Sequence, residues 1–160
     1  INDMTVAENI FLDAMGRRMW GWVPYRRYRP EARAILCRLG VDLSPDAVVR
    51  DLSVAEQQIV EIARALREDA AVIIMDEPTA ALGVQETAQV ENIIRGLKAQ
   101  GEPLILISHN MRQVMDLCDR IVVWRRGRIC ANLRKEDTDG EDVVAYITGA
   151  KTQPDYASAA

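Results

Sequence analysis

The pattern of apolar and polar positions changes character about halfway along the chain. In the first part, apolar residues recur at helical spacing. In "TVAENIFLDAM", Thr5 stands where a helix cap belongs, Glu8 follows three residues later, and Val6, Ile10 and Ala14 share a stripe. This predicts a short amphipathic helix. Residues 16–30 carry Trp20, Trp22, Tyr25 and Tyr28 among arginines and are punctuated by Pro24 and Pro30, so they read as a loop. A second helix is predicted over residues 31–39, stopped by Gly40. Past a polar turn at Ser44 and Pro45 comes "DLSVAEQQIVEIARALRED". Here Ser53 and Glu56 form a capping box for a long helix whose buried face is Ile59, Ile62, Ala63 and Leu66.

From residue 70 the pattern alternates strand and helix. "AVIIM" and "LILIS" are short, continuously apolar runs, which predicts strands covered on both faces, with residues 85–100 as the helix between them. Such a unit is a right-handed βαβ crossover. Residues 110–118 predict a further short helix, "RIVVWRRGRIC" two strands around a turn at Arg126 and Gly127, and residues 139–147 a closing helix. The small, polar residues of 150–160 read as a flexible tail, and no internal repeat is visible.

Composition narrows the class. At 160 residues, 49% hydrophobic and 28% charged, the chain is long enough to bury a sizeable core and reads as one globular domain or part of one. Its longest apolar stretch, residues 70–75, falls far short of the ~20 residues that span a bilayer. The net charge is −4, although Arg17, Arg18, Arg26, Arg27, Arg29 and Arg33 cluster, and this balance does not suggest a general nucleic-acid binder. Cys37, Cys118 and Cys130 include no CxxC pair, which leaves neither a disulfide framework nor a zinc site and points to a reducing cytosol. A first residue of Ile1 suggests a fragment or a processed product.

Candidate chemistry gathers at a few positions. Asp76 and Glu77 end a buried strand just before Pro78. A carboxylate there can hold hydrated Mg²⁺ against phosphates, and its neighbour can polarise a water for in-line attack. His109, the one histidine, follows the next strand and is expected at the same carboxyl edge, where open parallel sheets bind ligands. Ser53 opens a helix whose N–H groups and dipole suit an anion. Each has an ordinary structural reading as well: a strand-end turn, a surface histidine and a helix cap.

Taken in order, "LSVAEQQ" opening a helix, "VIIMDE" ending a strand, "TAALG" after the proline and His109 after the next strand resemble the second half of an ATP-binding-cassette ATPase. The resemblance covers Thr5 to about Gly149. It implies an α/β fold, a partial P-loop NTPase with a parallel sheet flanked by helices plus a helical subdomain. Residues 1–69 would be the helical subdomain with the signature motif. Residues 70–149 would be the second part of the RecA-like core, with 150–160 as the tail.

By the same resemblance, Asp76 is the Walker B aspartate that binds Mg²⁺, Glu77 activates water, and His109 is the switch histidine at the γ-phosphate. The signature segment, Leu52, Ser53, Val54, Ala55, Glu56 and Gln57, would reach across a dimer to ATP held by a second ATPase subunit. Two departures stand out. Val54 and Ala55 replace the signature glycines, and Gly83 replaces the acid that usually ends the D-loop.

The phosphate-cradling GxxxxGK[ST] run is absent, and none of Lys98, Lys135 and Lys151 directly follows a glycine. The chain alone is therefore expected to bind ATP poorly, and the absent strand to leave an open sheet edge and a bare apolar face. "TVAENIFL", "LSVAEQQIVEIARAL", "DEPTAALG" and "LISHNM" resemble the bacterial importers of ribose-, xylose- or fructose-like monosaccharides. That implies permease subunits, a periplasmic sugar-binding protein acting indirectly, and a peripheral place on the cytoplasmic face of the inner membrane. Alternatives are an ATPase of another importer class or a noncatalytic cassette kept as an interaction module. The DNA-gripping heads of chromosome machines are disfavoured by the lack of sustained heptads.

Overall fold

The computed structural model describes residues 1–16, 25–68 and 70–154. Arg17, Arg18, Trp20, Trp22 and Pro24 of the arginine-rich stretch, and the tail beyond residue 154, lie outside the described residues. Packing divides the chain into two compact units, Ile1–Ile105 and Leu106–Ala160.

The first unit is mainly helical. Thr5 caps α1 (Val6–Ile10) through a complete capping box with Glu8. The first two N–H groups of α1, which have no partner inside a helix, donate to the carbonyls of Ala47 and Pro45, each at 2.9 Å. This docks the helix on the loop around Pro45. Phe11 interrupts the predicted single helix, and α2 (Leu12–Gly16) continues beyond it.

The next element departs from expectation. Instead of a loop to residue 30 and a helix from 31, α3 runs Tyr25–Arg38 with Pro30 inside it. A proline within a helix lacks a donor and crowds the preceding turn. What offsets this is the register, because Tyr28, Ala32 and Leu36 are spaced four apart and all three are buried. Tyr28 also stacks on Phe11, with ring centroids 4.6 Å apart and planes 13° from parallel. Burying one aromatic ring and pairing it contributes roughly 2–4 kcal/mol, comparable to the ~3 kcal/mol cost of the proline.

Helix α4 (Val54–Arg67) packs against α1, α3 and the later α5, with Ile59, Ile62, Ala63 and Leu66 buried as its stripe predicts. Its far end is tied down by Arg64, which donates to both carboxylate oxygens of Asp13, and by Arg67, whose guanidinium lies 5.2 Å from the centre of the Phe11 ring.

Strand β1 (Ile73–Asp76), helix α5 (Val84–Ala99) and strand β2 (Leu104–Ile107) form the βαβ unit, and the strands pair as a two-stranded parallel sheet. The expectation of cover on both faces is not met. Ile73 and Met75 are buried, whereas Ile74 is 62% and Ile105 49% exposed. Both faces are apolar because the sequence is made for two covers, and among the described residues only one is supplied.

In the second unit α6 (Met111–Leu117) precedes the hairpin of β3 (Arg120–Arg125) and β4 (Arg128–Arg134), and α7 (Gly140–Thr148) covers one face of it. Arg126 and Gly127 both have positive φ, 50° and 78°, the geometry of the two-residue turn that matches strand twist. Val114, Ile121, Val123, Ala131, Leu133 and Val143 make the core. Helix α7 ends at Gly149 (φ 87°), where a side chain would also strike the Arg125 guanidinium. On the uncovered face of the hairpin Trp124 is 65% exposed. No helix among the described residues is long and apolar enough to cross a membrane.

Candidate functional site

Asp76 is the last residue of β1 and is exposed, while Glu77 is half-buried. The chain turns sharply there. Glu77 has φ 46°, in the left-handed region that non-glycine residues seldom enter. The turn is closed by the Ala80 N–H donating to the Glu77 carbonyl (3.1 Å) and the Leu82 N–H donating to the Thr79 carbonyl (3.2 Å), and Pro78 and Thr79 are buried beneath it.

Helix α5 begins at once, with Gly83 as its cap. Glycine has no side chain to offer, and the Gly83 N–H instead donates to the Glu86 carboxylate at 2.8 Å. The position without an acid thus has one leaning on its backbone.

The signature segment lies elsewhere in the first unit, at the start of α4. Ser53 accepts from the Glu56 N–H (3.3 Å), and the Glu56 carboxylate accepts from both the Ser53 N–H and hydroxyl, each at 2.8 Å. Gln57 turns back rather than outward, because its amide donates to the carbonyls of Val49 (3.3 Å) and Leu52 (3.0 Å) and pins the approach to the helix. Val54 is 53% exposed and Ala55 buried. Their N–H groups take no protein partner among the described residues, so two backbone donors and the positive end of a 14-residue helix remain for an anion.

His109 belongs to the second unit, in the short connection between β2 and α6, and is exposed. The Asn110 N–H donates to the Ser108 hydroxyl (3.1 Å), which closes a tight loop around the histidine, and Asn110 caps α6 through Gln113. Asp76 and Glu77 are therefore adjacent, and the signature segment stands on another element of the same unit. Sequence reasoning missed the backward-turned Gln57 amide, the Glu86 carboxylate on Gly83 and the left-handed Glu77. For the first two, the spacing of four or three residues to a helix start was the available signal.

Comparison with known proteins decides the family. The family profile described as ABC transporter matches residues 1–80, half of the chain. The chain belongs to the ABC transporter family. Among curated relatives in the family, it is 45% identical over 147 residues to a ribose import ATP-binding protein of Rhizobium etli, matching 92% of this chain and 29% of that one. To a protein so named in Burkholderia cenocepacia it is 40% identical over 156 residues, 98% of this chain and 31% of the relative. The chain spans about a third or less of the length of these relatives. A crystal structure of a nucleotide-free ATP-binding cassette from an ABC transporter superposes with a TM-score of 0.73 at 25% identity, covering 97% of this chain and 62% of that one. A cassette in its ADP conformation gives 0.72 at 26% identity, covering 98% and 62%. The fold is thus that of the family's α/β cassette in part, as the motifs imply.

Proposed function

We propose that the chain is part of the ATP-binding subunit of a bacterial importer that couples ATP hydrolysis to uptake of a ribose-like monosaccharide. The carrying observation is the sharp exit of β1 into Asp76 and Glu77 in a chain whose relatives are named ribose import ATP-binding proteins.

The residues suit the groups the reaction needs. Among the described residues no three acids, histidines or cysteines gather as a metal cage. A single exposed carboxylate such as Asp76 instead suits Mg²⁺, which keeps most of its waters and shares phosphate oxygens. Bound there, Mg²⁺ supplies charge neutralisation on the phosphates. Glu77 accepts the proton of the attacking water, and His109 donates to the terminal phosphate. The Val54 and Ala55 N–H groups at the start of α4, which take no partner among the described residues, would turn to phosphate held by a second ATPase subunit. Ser53 joins them once its hydroxyl leaves Glu56.

The phosphate cradle comes from polypeptide outside residues 1–160, and the same polypeptide covers Val72, Ile74 and Ile105. Permease subunits, fed by a sugar-binding protein, take up the conformational work at the cytoplasmic face of the membrane. The test is phosphate release by the full-length protein at saturating Mg-ATP. Glu77→Gln is expected to abolish it, and equal rates would leave the noncatalytic cassette as the correct reading.

A further inference from the structure

Residues of an antiparallel strand turn their backbone groups alternately towards the partner and away from it, so each strand of a hairpin has an outer edge. On β4 that edge is not bare. The register with β3 passes from Val123 opposite Ala131 to Trp124 opposite Ile129, which leaves Cys130 as the extra residue of a bulge with no partner across the hairpin. The Cys130 carbonyl instead accepts from the Gln153 N–H at 3.2 Å. Two residues on, the Asn132 N–H donates to the Gln153 side-chain carbonyl at 2.8 Å, and the Gln153 side-chain N–H donates back to the Asn132 carbonyl at 3.4 Å. A side-chain amide carries a donor and an acceptor, as a peptide group does, so Gln153 fills the place of a neighbouring strand at two alternate residues of β4.

The residues before Gln153 deliver it there. Gly149, with φ 87°, ends α7 and turns the chain back. The Lys151 N–H donates to the Ala145 carbonyl at 3.1 Å, and the Lys151 ammonium pairs with Asp142 on the same helix. Pro154 then favours extended backbone at Gln153, the form that suits a residue lying along a strand. The start of the expected flexible tail is thus held at Lys151 and again at Gln153.

We infer that residues 151–153 form a strap that closes the outer edge of β4, the Gln153 amide occupying backbone groups to which a strand of a second copy would otherwise add. Arg128 and Arg134, exposed at the two ends of β4, act to the same effect, because a copy paired antiparallel about the middle of the strand would set them against each other.

The test uses the full-length protein with Gln153→Ala, which removes the amide, and Gln153→Met, which removes it at similar size. In hydrogen exchange read by mass spectrometry, the Asn132 amide, resolved with overlapping peptides of residues 128–134, is expected to exchange about fivefold faster in both variants, while peptides of α7 stay within about twofold of wild type. In sedimentation velocity at about 0.5 M salt, where the repulsion between arginines is screened, both variants are expected to form species larger than those of wild type as concentration rises. Unchanged exchange at Asn132 overturns the strap. Faster exchange with the sedimentation profile of wild type overturns its role as guard of the edge. Should Gln153→Ala not fold, Gln153→Met decides by the same two readings.

Discussion

The start of α4 offers a prediction that runs against the usual ranking of helix caps. Serine, asparagine and aspartate ordinarily serve almost equally well. Here Glu56 has folded its carboxylate back so that it accepts from both the Ser53 N–H and the Ser53 hydroxyl at 2.8 Å. Ser53→Ala removes the hydroxyl's bond to Glu56 and the 3.3 Å bond from the Glu56 N–H. At this exposed position the loss is about 1 kcal/mol, or roughly 2–4 °C in Tm for a chain of this size. Ser53→Asp restores an acceptor but faces a second carboxylate at roughly 4 Å. Their repulsion costs about 1 kcal/mol even in water-like surroundings, and the donor to Glu56 is gone. The gain and the penalty nearly cancel, so the Ser53→Asp protein should melt with the Ser53→Ala protein. Ser53→Asn keeps an acceptor, adds a donor and brings no charge, and should melt near wild type. Circular dichroism melts of the four proteins at neutral pH and moderate salt give the order directly. Aspartate at or above wild type would refute the reciprocal box, and with it the claim that Ser53 must release Glu56 before it can bond a phosphate.

Two other outcomes follow from the same structure. The Asp13 carboxyl is held below its usual range, chiefly by the hydrogen bonds from Arg64 and also by the positive charges of Arg64 and Arg67. A group whose folded pKa is depressed stabilises above its unfolded pKa and loses that contribution as pH falls through the folded value. Asp13→Asn should therefore melt below wild type near neutrality and converge with it in acid beneath the usual aspartate range, and parallel melting curves across that window would sink the idea. The pair is exposed, so added salt should shrink the difference. On the bare sheet face, Ile74→Ser should change the stability of residues 1–160 by no more than about 0.5 kcal/mol but cost the full-length protein about 2 kcal/mol or more, because only there is the face proposed to be covered. Equally small effects in both would count against that cover.

The candidate site was legible in its letters and not in its geometry. The acids, the histidine and the signature segment are recognisable because their order and spacing along the chain carry the information. Nothing in "MDEPT" announces a left-handed glutamate, because glutamate seldom adopts that backbone.

Local features were likewise fixed by residues within four positions of each other. Thr5 with Glu8, Ser53 with Glu56, Arg126 with Gly127 and the stripe of α4 each satisfy their own backbone or present their own face, whatever the rest of the chain does. The tertiary structure alone decided the matters in which distant groups compete with a local rule. It drew Pro30 into a helix because Tyr28 gains Phe11 as a partner, and it left Ile74 and Ile105 bare because apolar strands declare a need for two covers without supplying them. At Glu77 it set a left-handed backbone, φ 46°, against the ordinary preference of a residue with a side chain, and the turn that follows is closed by the Ala80 N–H on the Glu77 carbonyl.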